Sequence, residues 1–123
     1  FLKQYDTKVI VNVCGKTTED YCQVVERLSG EAVDLLEINV SCPNVKEGGI
    51  AFGQDPRALE AITREVKRYA RQPVIMKLSP NVTDITEMAR AAPSVGSVPA
   101  PNSSKRQRES VSAVLRIDTI FVI

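Results

Sequence analysis

Ala32-Val33-Asp34-Leu35-Leu36-Glu37-Ile38-Asn39-Val40 is a mostly apolar run that stops at Cys42-Pro43-Asn44, because a proline cannot donate to a strand ladder. Its shortness and its branched aliphatic side chains read as a buried strand. Upstream, Lys8-Val9-Ile10-Val11-Asn12-Val13-Cys14, closed by Gly15, has the same character. Between the two runs, Thr17 or Thr18 can cap a helix whose first turn carries Glu19 and Asp20, and Tyr21, Val24, Val25 and Leu28 recur at helical spacing before Ser29-Gly30. Downstream, a glycine-rich loop, Val45 to Gln54, leads into Asp55-Pro56, a cap followed by a first-turn proline, and a second helix with Leu59, Ile62, Val66 and Tyr69 on its inner face. Val74-Ile75-Met76-Lys77-Leu78-Ser79 is a third strand, closed by Pro80-Asn81, and a third helix begins near Thr83-Asp84 and carries Ile85, Met88 and Ala89.

Strands alternating with helices through short connections predict an α/β fold built on parallel strands. An open doubly wound sheet and a closed (β/α)8 barrel share this pattern, and periodicity does not separate them. A complete barrel takes about 250 residues, so under the barrel alternative the 123 residues form a partial (β/α)8 TIM barrel of about three βα units. From Pro93 to Arg108 the residues are small, polar and basic without an apolar period, and nothing there can build a core. The stretch Val111 to Ile123 is apolar but has no evident pairing partner in the sequence.

With 16 basic and 15 acidic residues the net charge is +1, which gives no reason to expect a nucleic-acid partner. No apolar run approaches the roughly 20 residues that cross a bilayer, and the first residues lack a signal peptide's plan, so no membrane partner and a cytoplasmic location are expected. The start on Phe1 rather than Met suggests a reading frame that begins upstream. Three scattered cysteines, Cys14, Cys22 and Cys42, and no histidine predict reduced thiols, no disulfide framework and no metal site.

In α/β proteins of either kind reactive groups stand at the carboxyl ends of the strands. The polar residues there are Asn12, then Asn39, Ser41, Cys42 and Asn44, then Lys77 and Ser79. Asn12, Asn39 and Lys77 each interrupt an apolar run, where an unpaired polar group would cost about 1 to 3 kcal/mol. Taken singly each has an ordinary explanation: a backbone hydrogen bond for an asparagine, a snorkelling chain or salt bridge for Lys77, and inert packing for Cys42. Cys14 and Cys22 are read as inert packing.

Cys42 differs by its company. The stretch Glu37-Ile38-Asn39-Val40-Ser41-Cys42-Pro43-Asn44-Val45-Lys46-Glu47-Gly48-Gly49-Ile50-Ala51-Phe52-Gly53-Gln54-Asp55-Pro56 closely resembles the class 1B dihydroorotate dehydrogenases, and Val74 to Ile85 resembles that family's next strand with its flavin-contacting lysine. The resemblance runs from about Lys8 to Ala92. It implies an FMN-binding (β/α)8 barrel that oxidises (S)-dihydroorotate to orotate in pyrimidine biosynthesis. Residue by residue, it makes Cys42 the base that takes the C5 proton, a role within reach of a thiol whose ordinary pKa is about 8.5. It makes Asn39 a contact of both FMN and substrate, Asn44 a substrate contact and Asn12 a flavin contact. Lys77 would lie at the flavin's N1 and O2 edge, where positive charge favours the reduced anion. The loop Val45 to Gln54 would cover the substrate and move for its entry.

Cysteine rather than serine at the base position favours class 1, and the Lys46 to Gly53 loop points to class 1B. That class implies NAD as electron acceptor, reached through an iron-sulfur subunit carrying FAD, and a homodimer associated with it. Dihydropyrimidine dehydrogenases share an Asn-Xaa-Ser-Cys-Pro motif and are the alternative; a catalytically dead α/β fragment or interaction module is the non-enzymatic one. Family strands expected before Phe1, and an Asn-Thr strand and phosphate-binding glycine loops expected after Ala92, have no counterpart in the sequence. The chain is therefore expected to be an internal fragment, with residues 1–92 as partial barrel and 93–123 as a disordered or frameshifted tail, inactive in isolation.

Overall fold

A computed structural model of the chain describes residues 1–43 and 48–92, together with the backbone of 115–117. A short 3-10 turn at Leu2–Gln4 precedes β1 (Ile10–Val13), α1 (Thr18–Leu28), β2 (Leu35–Asn39), α2 (Pro56–Tyr69), β3 (Val74–Leu78), α3 (Ile85–Ala91) and β4 (Leu115–Ile117). The strands form one sheet in the order β1-β2-β3-β4, every neighbouring pair parallel. The α/β reading holds. The apolar stretch after Val111, for which the sequence offers no partner, contributes Leu115–Ile117 to the edge of β3.

Each helix starts where its cap residue permits. Thr17 accepts from the Asp20 amide while the Asp20 carboxylate accepts from the Thr17 amide, a reciprocal pair that satisfies two otherwise orphaned donors. Asp55 caps α2 with Pro56 in its first turn, and Asp84 caps α3. β1 is shorter than the run Lys8 to Cys14 because the Val9 amide donates to the Asp34 carboxylate at 2.8 Å, so a side chain takes over before the ladder begins.

Strand alternation sorts the sheet into two faces. Val13, Leu36, Ile38, Val40, Val74, Met76 and Leu78 share one buried cluster with Tyr21 and Val25 of α1, Leu59, Ile62 and Val66 of α2, and Met88 of α3. All three helices thus pack on the same face. A doubly wound sheet would put helices on both, so the arrangement is that of a segment of a (β/α)8 barrel, where helices form the outer layer. The other face carries Ile10, Asn12, Leu35, Glu37, Asn39, Ile75 and Lys77.

Two inner-face expectations are corrected. Val24 and Tyr69 are exposed, whereas Cys22 and Thr63 are buried. Thr63 is accommodated because its hydroxyl donates to the Leu59 carbonyl one turn earlier, at 2.6 Å. Ile38, fully buried at the centre of β2, faces the helix layer; truncation in Ile38→Ala is expected to cost about 2 to 5 kcal/mol, read as a lowered urea midpoint at unchanged slope.

Candidate active site

The carboxyl ends of β1, β2 and β3 bring together the polar residues that interrupt their apolar runs. Register places Asn12 beside Glu37, and Asn39 beside Lys77, on the helix-free face. Asn12 Nδ2 donates to Glu37 Oε1 at 2.6 Å, and Asn39 Nδ2 donates to Asn12 Oδ1 at 3.4 Å. Asn39 Oδ1 in turn accepts from the Ser41 amide at 3.1 Å and the Ser41 hydroxyl at 2.9 Å. This is an Asx-type turn, and it sets the direction in which the chain leaves β2 just before Cys42. The bland account of these asparagines, a hydrogen bond to neighbouring backbone, covers only the Ser41 amide. The remaining bonds join side chain to side chain, locally to the Ser41 hydroxyl and across strands between Asn12, Glu37 and Asn39.

Cys42 follows this turn and is half-buried. Cys14, just past β1, is exposed, which corrects the expectation that it is packed away; its Sγ donates to Asn12 Oδ1 at 3.4 Å. Desolvation of the sulfur pushes the Cys14 thiol pKa up, with a smaller push from neighbouring Cys42, against the opposing pull of Asn39 and Lys77. That balance brings both thiols and the lysine into one electrostatic neighbourhood. Cys22, by contrast, is buried on α1 as expected. Lys77 is half-buried and makes no hydrogen bond or ion pair among the described residues, so a salt bridge does not explain it there. Asn44 and residues 45–47 lie outside the described residues.

Tyr21 ties the core to this end of the sheet. Its ring is fully buried, its hydroxyl donates to the Asn39 carbonyl at 2.8 Å, and it meets Phe52 edge-on at 6.0 Å. Burial pushes its phenol pKa up to about 12. Phe52 belongs to the segment after the site, where a 3-10 turn at Gly49–Ala51 folds back on β2. A Cβ at Gly53 would overlap the Val40 carbonyl oxygen, and one at Gly48 would overlap the Lys16 backbone. Only glycine lets this segment lie so close. A shallow depression of about 550 Å³ lined by Gln54, Pro80, Asn81, Val82 and Thr83 opens beside it.

Asn12, Asn39, Lys77 and Cys42 are therefore brought into one place. Amide and ammonium donors on a sheet face free of helices suit the oxygen- and nitrogen-rich edge of a flat heterocycle, so Asn12, Asn39 and Lys77 could hold a flavin. Glu37 was not marked by sequence reasoning. A charged residue in the middle of an apolar strand run was the available signal, since burial of a carboxylate demands a partner.

A sequence model of the dihydroorotate dehydrogenase family matches residues 2–102, past the expected limit at Ala92. The catalytic subunit of dihydroorotate dehydrogenase B (NAD(+)) from Lachnoclostridium phytofermentans is 73% identical over 96 residues, 78% of this chain and 32% of that protein. The same subunit from Alkaliphilus metalliredigens is 60% identical over 92 residues, covering 75% and 30% of the two chains. That from Listeria monocytogenes is 50% identical over 97 residues, covering 78% and 32%. The chain spans about a third of the length of the curated relatives it matches.

Tyr21→Phe is expected to cost about 1 kcal/mol at neutral pH by removing the bond to Asn39. The raised phenol pKa adds a pH signature: its contribution is complete below the unfolded value of about 10 and is lost as pH rises towards the folded one. Urea titrations near neutrality and near pH 12 should thus show the parent losing on the order of 2 kcal/mol more than the variant over that interval.

Proposed function

The chain belongs to the dihydroorotate dehydrogenase family, and from that premise we propose that it supplies one wall of a site that oxidises (S)-dihydroorotate to orotate in pyrimidine biosynthesis. The observation that carries the reading is the meeting of Asn12, Asn39, Lys77 and Cys42 at the ends of adjacent parallel strands, on the face that no described helix covers.

The oxidation removes two hydrogens from neighbouring ring carbons, one as a proton from C5 and one as hydride from C6, leaving a C5=C6 double bond. In this proposal Cys42 takes the C5 proton as a thiolate base. Asn39, anchored through Asn12 and Ser41, fixes the ring relative to that sulfur, and Asn44 is proposed to share the task. Asn12, Asn39 and Lys77 would hold FMN, which when bound supplies the two-electron acceptor for the hydride. Lys77 brings positive charge to the place where the reaction accumulates negative charge.

The relatives' name, catalytic subunit of an NAD(+)-linked form B, supports the further proposals that electrons leave for NAD through a separate iron-sulfur flavoprotein subunit and that the whole protein works as a cytoplasmic homodimer bound to it. None of the described helices is long and apolar enough to cross a membrane. The catalytic contribution is assigned to residues 1–92. For the 123 residues alone we propose no turnover, because Asn12 and Cys14 stand exposed to water, where competing hydration weakens every polar contact with a substrate.

A hybrid enzyme tests this: residues 1–92 replace the matching segment of the Lachnoclostridium phytofermentans subunit. Bleaching of its flavin by dihydroorotate is the expected result. Cys42→Ser should slow that bleaching at neutral pH by about 100-fold or more, since a hydroxyl is a far weaker base, while orotate binding persists. Bleaching at the parent rate in Cys42→Ser would remove Cys42 from the mechanism.

A further inference from the structure

We propose that Glu37 is a positioning residue: its carboxylate sets the orientation of the Asn12 and Asn39 carboxamides, turning the helix-free face into a wall of hydrogen-bond donors that selects a ligand edge made of acceptors. The inference rests on the reading that substrate and flavin meet this face.

A carboxamide can turn over by half a rotation with almost no change of shape, so its neighbours decide where nitrogen and oxygen go. A carboxylate offers acceptors only. With Glu37 Oε1 at 2.6 Å, the Asn12 atom facing it must be Nδ2. Asn12 Oδ1 is then turned towards Asn39, which must answer with its own Nδ2, at 3.4 Å. Asn39 Oδ1 is thereby left to face Ser41, whose amide and hydroxyl both donate to it. One acceptor-only group at the start of the relay fixes every polarity along it.

Counting lone pairs and hydrogens gives the consequence. Asn12 Oδ1 accepts from Asn39 and from the Cys14 thiol, and Asn39 Oδ1 accepts twice from Ser41. Each amide oxygen has two lone pairs, so both are saturated. Each amide nitrogen has two hydrogens and spends one within the relay. One N–H of Asn12 and the three of Lys77 remain, and the second N–H of Asn39 lies towards the Cys14 sulfur, a weak acceptor that a ligand oxygen can displace. Glu37 is 1% exposed, so its oxygens are not presented. A ligand edge of ring carbonyls or a carboxylate finds partners here, and an edge of ring N–H groups finds no free acceptor on the side chains of Asn12, Asn39 and Lys77. The far end of the relay is Ser41, which precedes Cys42, so the same carboxylate also orders the approach to the proposed base.

Labelling of thiols with iodoacetamide, resolved by peptide, tests the relay on the full 123-residue chain, with buried Cys22 as the monitor of general loosening. Glu37→Gln keeps the shape but can offer an N–H to Asn12, allowing the carboxamides to turn over. Labelling rates at Cys14 and Cys42 are expected to change by about threefold or more, the equivalent of one lost hydrogen bond, with Cys22 still protected. Glu37→Asp, which keeps an acceptor-only group, should stay nearer the parent. Unchanged rates at Cys14 and Cys42 in Glu37→Gln, or a change matched at Cys22, overturn the proposal. In the hybrid enzyme, Glu37→Gln should weaken orotate binding about tenfold, and unaltered affinity likewise overturns it. A parent hybrid that binds orotate yet fails to bleach with dihydroorotate would instead refute the proposed reaction, leaving the labelling result to judge Glu37.

Discussion

Everything in this structure hangs on the two-residue period of β2. Its even-numbered residues, Leu36 and Ile38, and Val40 just past its end are fully buried in the cluster shared with all three helices. Its odd-numbered residues, Leu35, Glu37 and Asn39, stand on the other side, in register with β1 and β3. Because β2 is paired on both edges, a slip by one residue would drive a carboxylate and an amide into the helix layer and expose the core, at a cost of several kcal/mol per group. The core therefore fixes the register, and the register fixes which polar residues can meet.

Those polar residues come as a set. A single asparagine in such a strand would leave donors and acceptors unpaired, yet Glu37, Asn12 and Asn39 bond one another across strands and Asn39 bonds Ser41 two residues on. The net gain from each bond is about 1 kcal/mol, but each bond left unmade costs about 1 to 3 kcal/mol. Such a relay adds little stability when complete and penalises any broken member. Its value lies in orientation: it holds amides and a turn in one geometry, as a site needs and a core does not.

Much of this was legible in the sequence. Strand positions, the caps Thr17, Asp55 and Asp84, and the convergence of Asn12, Asn39, Lys77 and Cys42 follow from apolar runs, capping chemistry and the family motif. Which face of the sheet the helices take did not follow, because βα alternation is the same in barrels and doubly wound sheets; only the three-dimensional packing distinguishes them. Val24 lies well round α1 from buried Cys22 and Val25, and Tyr69, though angularly close to Ile62, is the last residue of α2, so both are exposed in spite of their apolar identity. Thr63 is buried in spite of its hydroxyl, and no periodicity count of apolar residues finds it. Glu37 was missed for a related reason. A residue's role here depends on its neighbour across the ladder, some 25 positions away in sequence, and single-strand patterns carry no such information.

Tyr21 joins the core to the polar relay. A phenol is large enough to fill the core beneath β2 and polar at one end, so the same side chain can be fully buried and still bind the Asn39 carbonyl. Asn39 is thus held at both ends: its backbone by the core through Tyr21, its side chain by the relay through Asn12 and Ser41. Phe52 leans on the same ring, and Gly53 lies against the carbonyl of Val40. Strand end and following segment therefore share one support, so a packing change beneath β2 is felt at Cys42 without touching it. Precision at this end of the sheet is inherited from the core and does not have to be built by the loop itself.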